Sequence, residues 1–327
     1  MRIGINGLGR IGRGLLKELL KEGRHEVALC NDVAEGAVVA HLLNHDSYYG
    51  PSGLSARFAG GLLHAGGRAF PLTREADPAR IPWKDHGVEW VVEATGRFKD
   101  RKGMEAHGLP VLLTASSPQA DRQVVFGVNH RLIGPGDRLL SATSCTTHSV
   151  VPPLYVLSGA YETEAVLFNT VHCYNVSQTL VDAPQKDLRR ARAAGLNLIP
   201  TTTSASLAVE EVLSALKGKT RGMAVRVPAP AVSLTEITLS LARPVSREEA
   251  LERLREAAAG DLHGILALSE EPLVSQDFLG NPASSVVDAE LVQSAGRLLR
   301  IVAWYDNEFG YIRRLVDLLG YLEGRRP

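Results

Sequence analysis

The feature that most narrows what this chain can fold into is Gly7-Leu8-Gly9-Arg10-Ile11-Gly12. This GxGxxG run directly follows an apolar, strand-like segment at 2–6 and directly precedes residues 10–22, where Ile11, Leu15 and Leu19, with Leu16 and Leu20, recur at helical spacing. In a dinucleotide fold the first glycine makes the turn, the second lets the backbone approach a pyrophosphate, and the third lets the helix pack against the strand. The helix start, at Arg10 and Ile11, offers N–H groups and a partial positive charge to phosphate. Asp32 follows Gly12 by twenty residues, after the apolar run Glu26 to Asn31. A carboxylate there can accept both ribose hydroxyls of NAD and would repel the 2′-phosphate of NADP. The expected cofactor is therefore NAD, held by Gly7, Gly9, Arg10, Ile11, Gly12 and Asp32.

The same rhythm continues with a helix near 36–44 and strand-like runs at Trp90-Val91-Val92, Val111-Leu112-Leu113 and Val124-Val125-Phe126. Apolar strands separated by helices imply a parallel sheet covered on both faces. After about residue 160 the pattern changes to long strands alternating by twos. Val166, Phe168, Thr170 and His172 share one face, and Thr235, Ile237, Leu239 and Leu241 do so in the run 232–241. That suits an antiparallel sheet packed on helices. Ser246-Arg247-Glu248-Glu249 has capping-box form and should start a helix running to about 258, and 309–322 read as a final helix. With 327 residues, two domains are expected, meeting near Ser144–Cys145.

Apolar residues make up 45% and charged residues 22%, too hydrophobic for disorder. The 36 basic and 36 acidic residues cancel, so a general basic footprint for nucleic acid is absent. No apolar run approaches the ~18–20 residues of a membrane span, and Met1 to Gly7 lacks the pattern of a signal peptide. Cys30, Cys145 and Cys173 are too few for a disulfide framework, and no spacing suggests a metal site. A cytoplasmic protein is expected, with no nucleic-acid or membrane partner.

Cys145 sits between a strand-like run at 138–140 and a helical segment, so it should lie at a helix N-terminus, where the dipole and N–H groups favour thiolate. His172 is its candidate general base. Cys30 and Cys173 read as structural, Cys173 pointing away from His172 by strand alternation. His148, three residues after Cys145, reads in two ways: protonated, it adds to thiolate stabilisation, or it caps the helix or faces solvent.

Several segments together carry a resemblance. They are Ile5 to Arg13, Asn31-Asp32, Ser144-Cys145-Thr146-Thr147, Leu188-Arg189-Arg190-Ala191-Arg192, Ile199-Pro200-Thr201-Thr202-Thr203, Arg226-Val227-Pro228 and Trp304 to Tyr311. In order and spacing they resemble the phosphorylating glyceraldehyde-3-phosphate dehydrogenase family, which includes the erythrose-4-phosphate dehydrogenases. The resemblance implies an α/β architecture: a Rossmann-type parallel-sheet NAD domain over 1–144 and 307–327, and an α+β catalytic domain with a mostly antiparallel sheet over 145–306. It implies that Cys145 attacks an aldehyde, that His172 takes the proton, and that a Cys145 thioester passes to inorganic phosphate. Thr95, Asn307 and Tyr311 would join the cofactor site, Asn307 at the nicotinamide carboxamide. Ser144, Thr146 and Thr203 match positions for the attacking phosphate, and Arg226, with Arg190 supporting, matches the site for the substrate's own phosphate. A homotetramer is implied, with 173–198 reaching a neighbouring subunit. The chain departs from the family at His148, at Ser149, at Ser204 in the attacking-phosphate loop, and at Asn175, where a threonine is usual and Ser177 keeps a hydroxyl nearby. Alternatives are an erythrose-4-phosphate dehydrogenase, a variant taking arsenate as acceptor, and a catalytically retired binding protein.

Overall fold

A computed structural model describes residues 1–325. Contacts divide them into two units, one of Met1–Thr143 with Ile312 onward and one of Ser144–Tyr311. The returning segment expected from 307 thus begins later, because 306–311 are held by the second unit. Asp306 accepts from the N–H groups of Gly280, Glu308 and Phe309, and an added Cβ on Gly310 would lie 2.6 Å from the Ala283 carbonyl oxygen. Of the expected returning segment 307–327, Arg326 and Pro327 lie outside the described residues.

The first unit is built on a nine-stranded sheet in which Arg2–Asn6 runs parallel to Glu26–Asn31 on one side and to Trp90–Glu93 on the other. The chain leaves Arg2–Asn6 toward one edge and later returns to its other side. That reversal opens a crevice at the carboxyl ends of these strands. Val111–Leu113, Leu139–Ser141 and Arg122–Gln123 extend the parallel part, and a small antiparallel meander, Arg57–Ala59, Leu62–Ala65 and Arg68–Thr73, ends the other edge. The strand expected at 124–126 is instead the short Arg122–Gln123. Val124 N–H still donates to the Ser141 carbonyl, but Val125 N–H turns to the Asn129 side chain, so burial here runs on past the end of the pairing.

The second unit opens with the helix Cys145–Ala160, capped by Ser144, whose hydroxyl accepts from Thr147 N–H. Its mostly antiparallel sheet is centred on Thr163–Cys173. Val166, Phe168, Thr170 and His172 form the buried face of that strand, and Ser233–Leu241 buries every second residue. Thr220–Val227 lies on the other side of the central strand, parallel to it. The Ser246 capping box is present, starting the helix Arg247–Ala259. Among the described residues, no helix is long and apolar enough to cross a membrane.

Candidate active site

In the first unit the glycine turn has a shape that only glycine permits at two positions. Gly7 adopts φ +94°, and a Cβ on Gly12 would lie 1.9 Å from the Gly7 carbonyl oxygen. Gly9 differs: an added Cβ meets no atom within 4 Å, so the space above it is open. No side chain caps the helix Arg10–Glu22, and its first turn carries no acid. Open space before an uncapped helix start is what a pyrophosphate requires. Asp32 closes the turn from the neighbouring strand, accepting from Leu8 N–H at 2.6 Å and Ala34 N–H at 2.8 Å, and each oxygen retains a further acceptor site. The Arg10 guanidinium pairs with Asp46 at 3.1 Å and lies over the Tyr48 ring, so only its backbone faces the turn's chemistry. These residues fit NAD: backbone donors for the phosphates and a carboxylate for the ribose.

Beneath this turn lies a polar row that sequence reasoning missed. Strand register sets Thr73, Asn31, Asn6 and Glu93 side by side at the ends of four neighbouring parallel strands. Thr73 donates to Asn31, Asn31 to Asn6 at 2.8 Å, and Asn6 to Glu93 at 2.6 Å. Trp83 Nε1, which can only donate, meets His107 Nδ1 at 3.2 Å, so His107 carries its proton on Nε2 and donates it to Glu93 at 3.1 Å. The other Glu93 oxygen accepts from Thr95 N–H and the Thr95 hydroxyl, which pins the turn at Thr95-Gly96. Glu93 and His107 are buried. Buried polar side chains at strand ends were the available signal, yet their pairing depends on register.

In the second unit, Cys145 Sγ and His172 Nε2 are 3.5 Å apart. Helix and strand meet because Thr146 and Thr170, one on each element, both bond the buried Tyr305 hydroxyl, at 3.1 and 2.8 Å. His172 Nδ1 lies 2.7 Å from the Cys173 carbonyl, while Nε2 faces the thiol. Register pairs His172 with Arg226, whose Nη1 abuts Nδ1 and donates to the same carbonyl at 3.0 Å.

Electrostatics correct one expectation. Burial pushes the Cys145 thiol above its ordinary value of 9.0, outweighing the Arg226 charge and the Thr146 N–H that pull it down. Burial and the Arg226 charge push His172 down to about 3. Burial thus works against the thiolate that a helix start favours and against charge on the imidazole. Cys173 is also less remote than alternation suggested. It ends the strand, where alternation lapses, and its sulfur touches Asn307 Oδ1 at 3.2 Å.

The remaining site residues are held in local turns. The Ser144 hydroxyl is 2.9 Å from that of Thr147. Asn175 Oδ1 accepts from Ser177 N–H and hydroxyl, at 3.0 and 2.6 Å. Arg190 donates to the Thr201 hydroxyl and the Thr202 carbonyl, bracing the loop in which the Thr203 hydroxyl accepts from Ala205 N–H. Ser204 starts the helix Ala205–Val212 without a side-chain cap. His148 is buried, not solvent-facing: Nδ1 lies 3.2 Å from the Ser144 carbonyl, and its ring is edge-on to Tyr311.

The glycine turn of the first unit defines a class, that of dinucleotide-binding proteins, and the second unit adds a thiol–imidazole pair beside a guanidinium. Family models sharpen this: residues 1–101 match the glyceraldehyde 3-phosphate dehydrogenase NAD binding domain and 144–307 match its C-terminal domain. The chain is 43% identical to glyceraldehyde-3-phosphate dehydrogenase of Kitasatospora aureofaciens, over 99% of both chains. It is 42% identical to glyceraldehyde-3-phosphate dehydrogenase 1 of Bacillus subtilis (strain 168), over 98% of both, and 41% identical to the Geobacillus stearothermophilus enzyme, over 99% of both. The chain belongs to the glyceraldehyde-3-phosphate dehydrogenase family and is an NAD-dependent oxidoreductase of that type.

Proposed function

We propose that this enzyme oxidises D-glyceraldehyde 3-phosphate with inorganic phosphate to 1,3-bisphosphoglycerate through a thioester on Cys145. The observation that carries the reading is the 3.5 Å approach of Cys145 Sγ to His172 Nε2, with Arg226 beside the ring. Acting as base, His172 takes the thiol proton as sulfur attacks the carbonyl carbon and hands it to the carbonyl oxygen, giving a neutral hemithioacetal and a free imidazole. Arg226 favours negative charge on that sulfur. The hemithioacetal hydroxyl then loses its proton to His172 Nε2, and the Cys145 backbone N–H, at the helix start, is a donor for the carbonyl oxygen. The glycine turn and Asp32 would hold NAD, which would supply the hydride acceptor, and Asn307 is the candidate partner of its carboxamide. Attack of phosphate on the thioester releases the acyl phosphate and returns Cys145 as thiol. Arg226 pairs the substrate's phosphate, and Ser144, Thr146 and Thr203 serve the attacking one.

The test is NADH absorbance on mixing enzyme, NAD, phosphate and the aldehyde, and its absence would overturn the reading. Asn175 permits a second substrate, D-erythrose 4-phosphate, since an amide whose oxygen is engaged by Ser177 offers phosphate a different geometry from a hydroxyl. Comparing kcat/KM for the two aldehydes separates them. The same reading makes the enzyme a cytoplasmic homotetramer. It is supported by the apolar side chains exposed in 173–198, among them Val176, Leu180, Leu188 and Leu196. Sedimentation of the purified chain as a monomer would refute the assembly.

A further inference from the structure

Cys173 takes no part in the reaction above, yet it is buried at the end of the strand that carries His172. Its sulfur lies 3.2 Å from Asn307 Oδ1, and its N–H donates to the Ser233 hydroxyl at 3.2 Å, so the residue is held on both its backbone and its side chain. An amide side chain is ambiguous by itself: its oxygen and nitrogen have similar shapes and opposite hydrogen-bonding senses. A thiol biases the choice, since S–H can donate only to Oδ1, and Oδ1 is the amide atom that faces the sulfur here. Burial keeps the sulfur in the thiol form, pushing its pKa up to about 12. With Oδ1 engaged, the amide nitrogen of the partly exposed Asn307 remains a donor for something else.

We propose that Cys173 is a positioning residue whose S–H holds Asn307 with Oδ1 inward, so that Nδ2 is presented to the carbonyl oxygen of the nicotinamide carboxamide. This rests on the reading of Asn307 as a cofactor residue. An amide turned the other way would set oxygen against oxygen. S–H is a weak donor, so the contribution is modest; the sulfur also lies 3.6 Å from His172 Nδ1, and the Asn307→Ala background isolates the amide contact.

The test is a calorimetric titration of the full chain with NAD, with no substrate present. Cys173→Ala should weaken binding about three- to tenfold, Cys173→Ser, which keeps a donor, should stay within about twofold of wild type, and Cys173→Ala should add nothing in an Asn307→Ala background. Should Cys173→Ala fail to fold, Cys173→Val refills the volume without a donor. Wild-type affinity in the donor-less variant, or equal losses for Ala and Ser, would overturn the proposal while leaving Asn307 its role. Wild-type affinity in Asn307→Ala would instead remove the reading beneath it.

Discussion

The glycine turn of the first unit and the thiol site of the second are built by opposite routes. The turn comes from contiguous residues: a strand, three glycines and a helix start, with one carboxylate from the next strand. Its chemistry is backbone chemistry, so what matters is which side chains are missing. The thiol site gathers residues 145, 172, 226 and 305, none adjacent in the chain, and register and packing alone bring them together. Its chemistry is side-chain chemistry, tuned by burial. The first kind of site tolerates any sequence that keeps its small residues, whereas the second depends on specific groups and their charges.

The sharpest way to break this contrast is to remove the sulfur. Cys145→Ser should lower kcat by on the order of 10⁴-fold or more, with NAD affinity by calorimetry nearly unchanged. His172→Asn should cost about 10²- to 10⁴-fold in kcat and slow alkylation of Cys145 by iodoacetamide. Rapid alkylation in that variant would show that the imidazole does not act on the thiol.

His172 also makes a prediction about pH. Its native value is held at about 3 against an ordinary 6.5, so between those values the unfolded chain binds a proton that the native chain does not. Stability therefore falls as pH drops from about 6.5 toward 3, and the His172→Asn variant should lose less over that window in denaturant titrations.

Smaller effects sharpen the glycine side. Gly12→Ala forces a Cβ onto the Gly7 carbonyl and should destabilise the chain by about 1–3 kcal/mol in thermal or denaturant melts. Glu93→Gln replaces two acceptor sites with a donor facing donors. It should cost about 1–3 kcal/mol and loosen the Thr95 turn, which hydrogen exchange at Thr95 would register. Gly9→Ala is the discriminating case. Nothing in the protein lies within 4 Å of the added carbon, so the melting temperature should hold while NAD binding weakens. A drop in stability there would mean that the open space serves the fold rather than the cofactor.

Most of the fold was legible because periodicity reports burial: 3.6-residue recurrence in Arg10–Glu22 and two-residue alternation in Ser233–Leu241 describe faces that must be covered. The same signal misled at Val124–Phe126, since burial that continues past the last strand pairing leaves an identical apolar run. At the site, residue types and order pointed to Cys145, His172 and Arg226. They did not reveal that Thr73, Asn31, Asn6 and Glu93 form one row, or that Cys173 reaches Asn307.

What the sequence determined by itself was local: where helices start, which glycines must bend, and which side chains have the chemistry for thiol, imidazole and anion work. Tertiary structure alone decided how readily those groups ionise. A helix start favours thiolate at Cys145, but burial by distant strands pushes the thiol up and the His172 imidazole down. The physical reason is that desolvation depends on everything packed around a group, whereas a motif records only its neighbours along the chain.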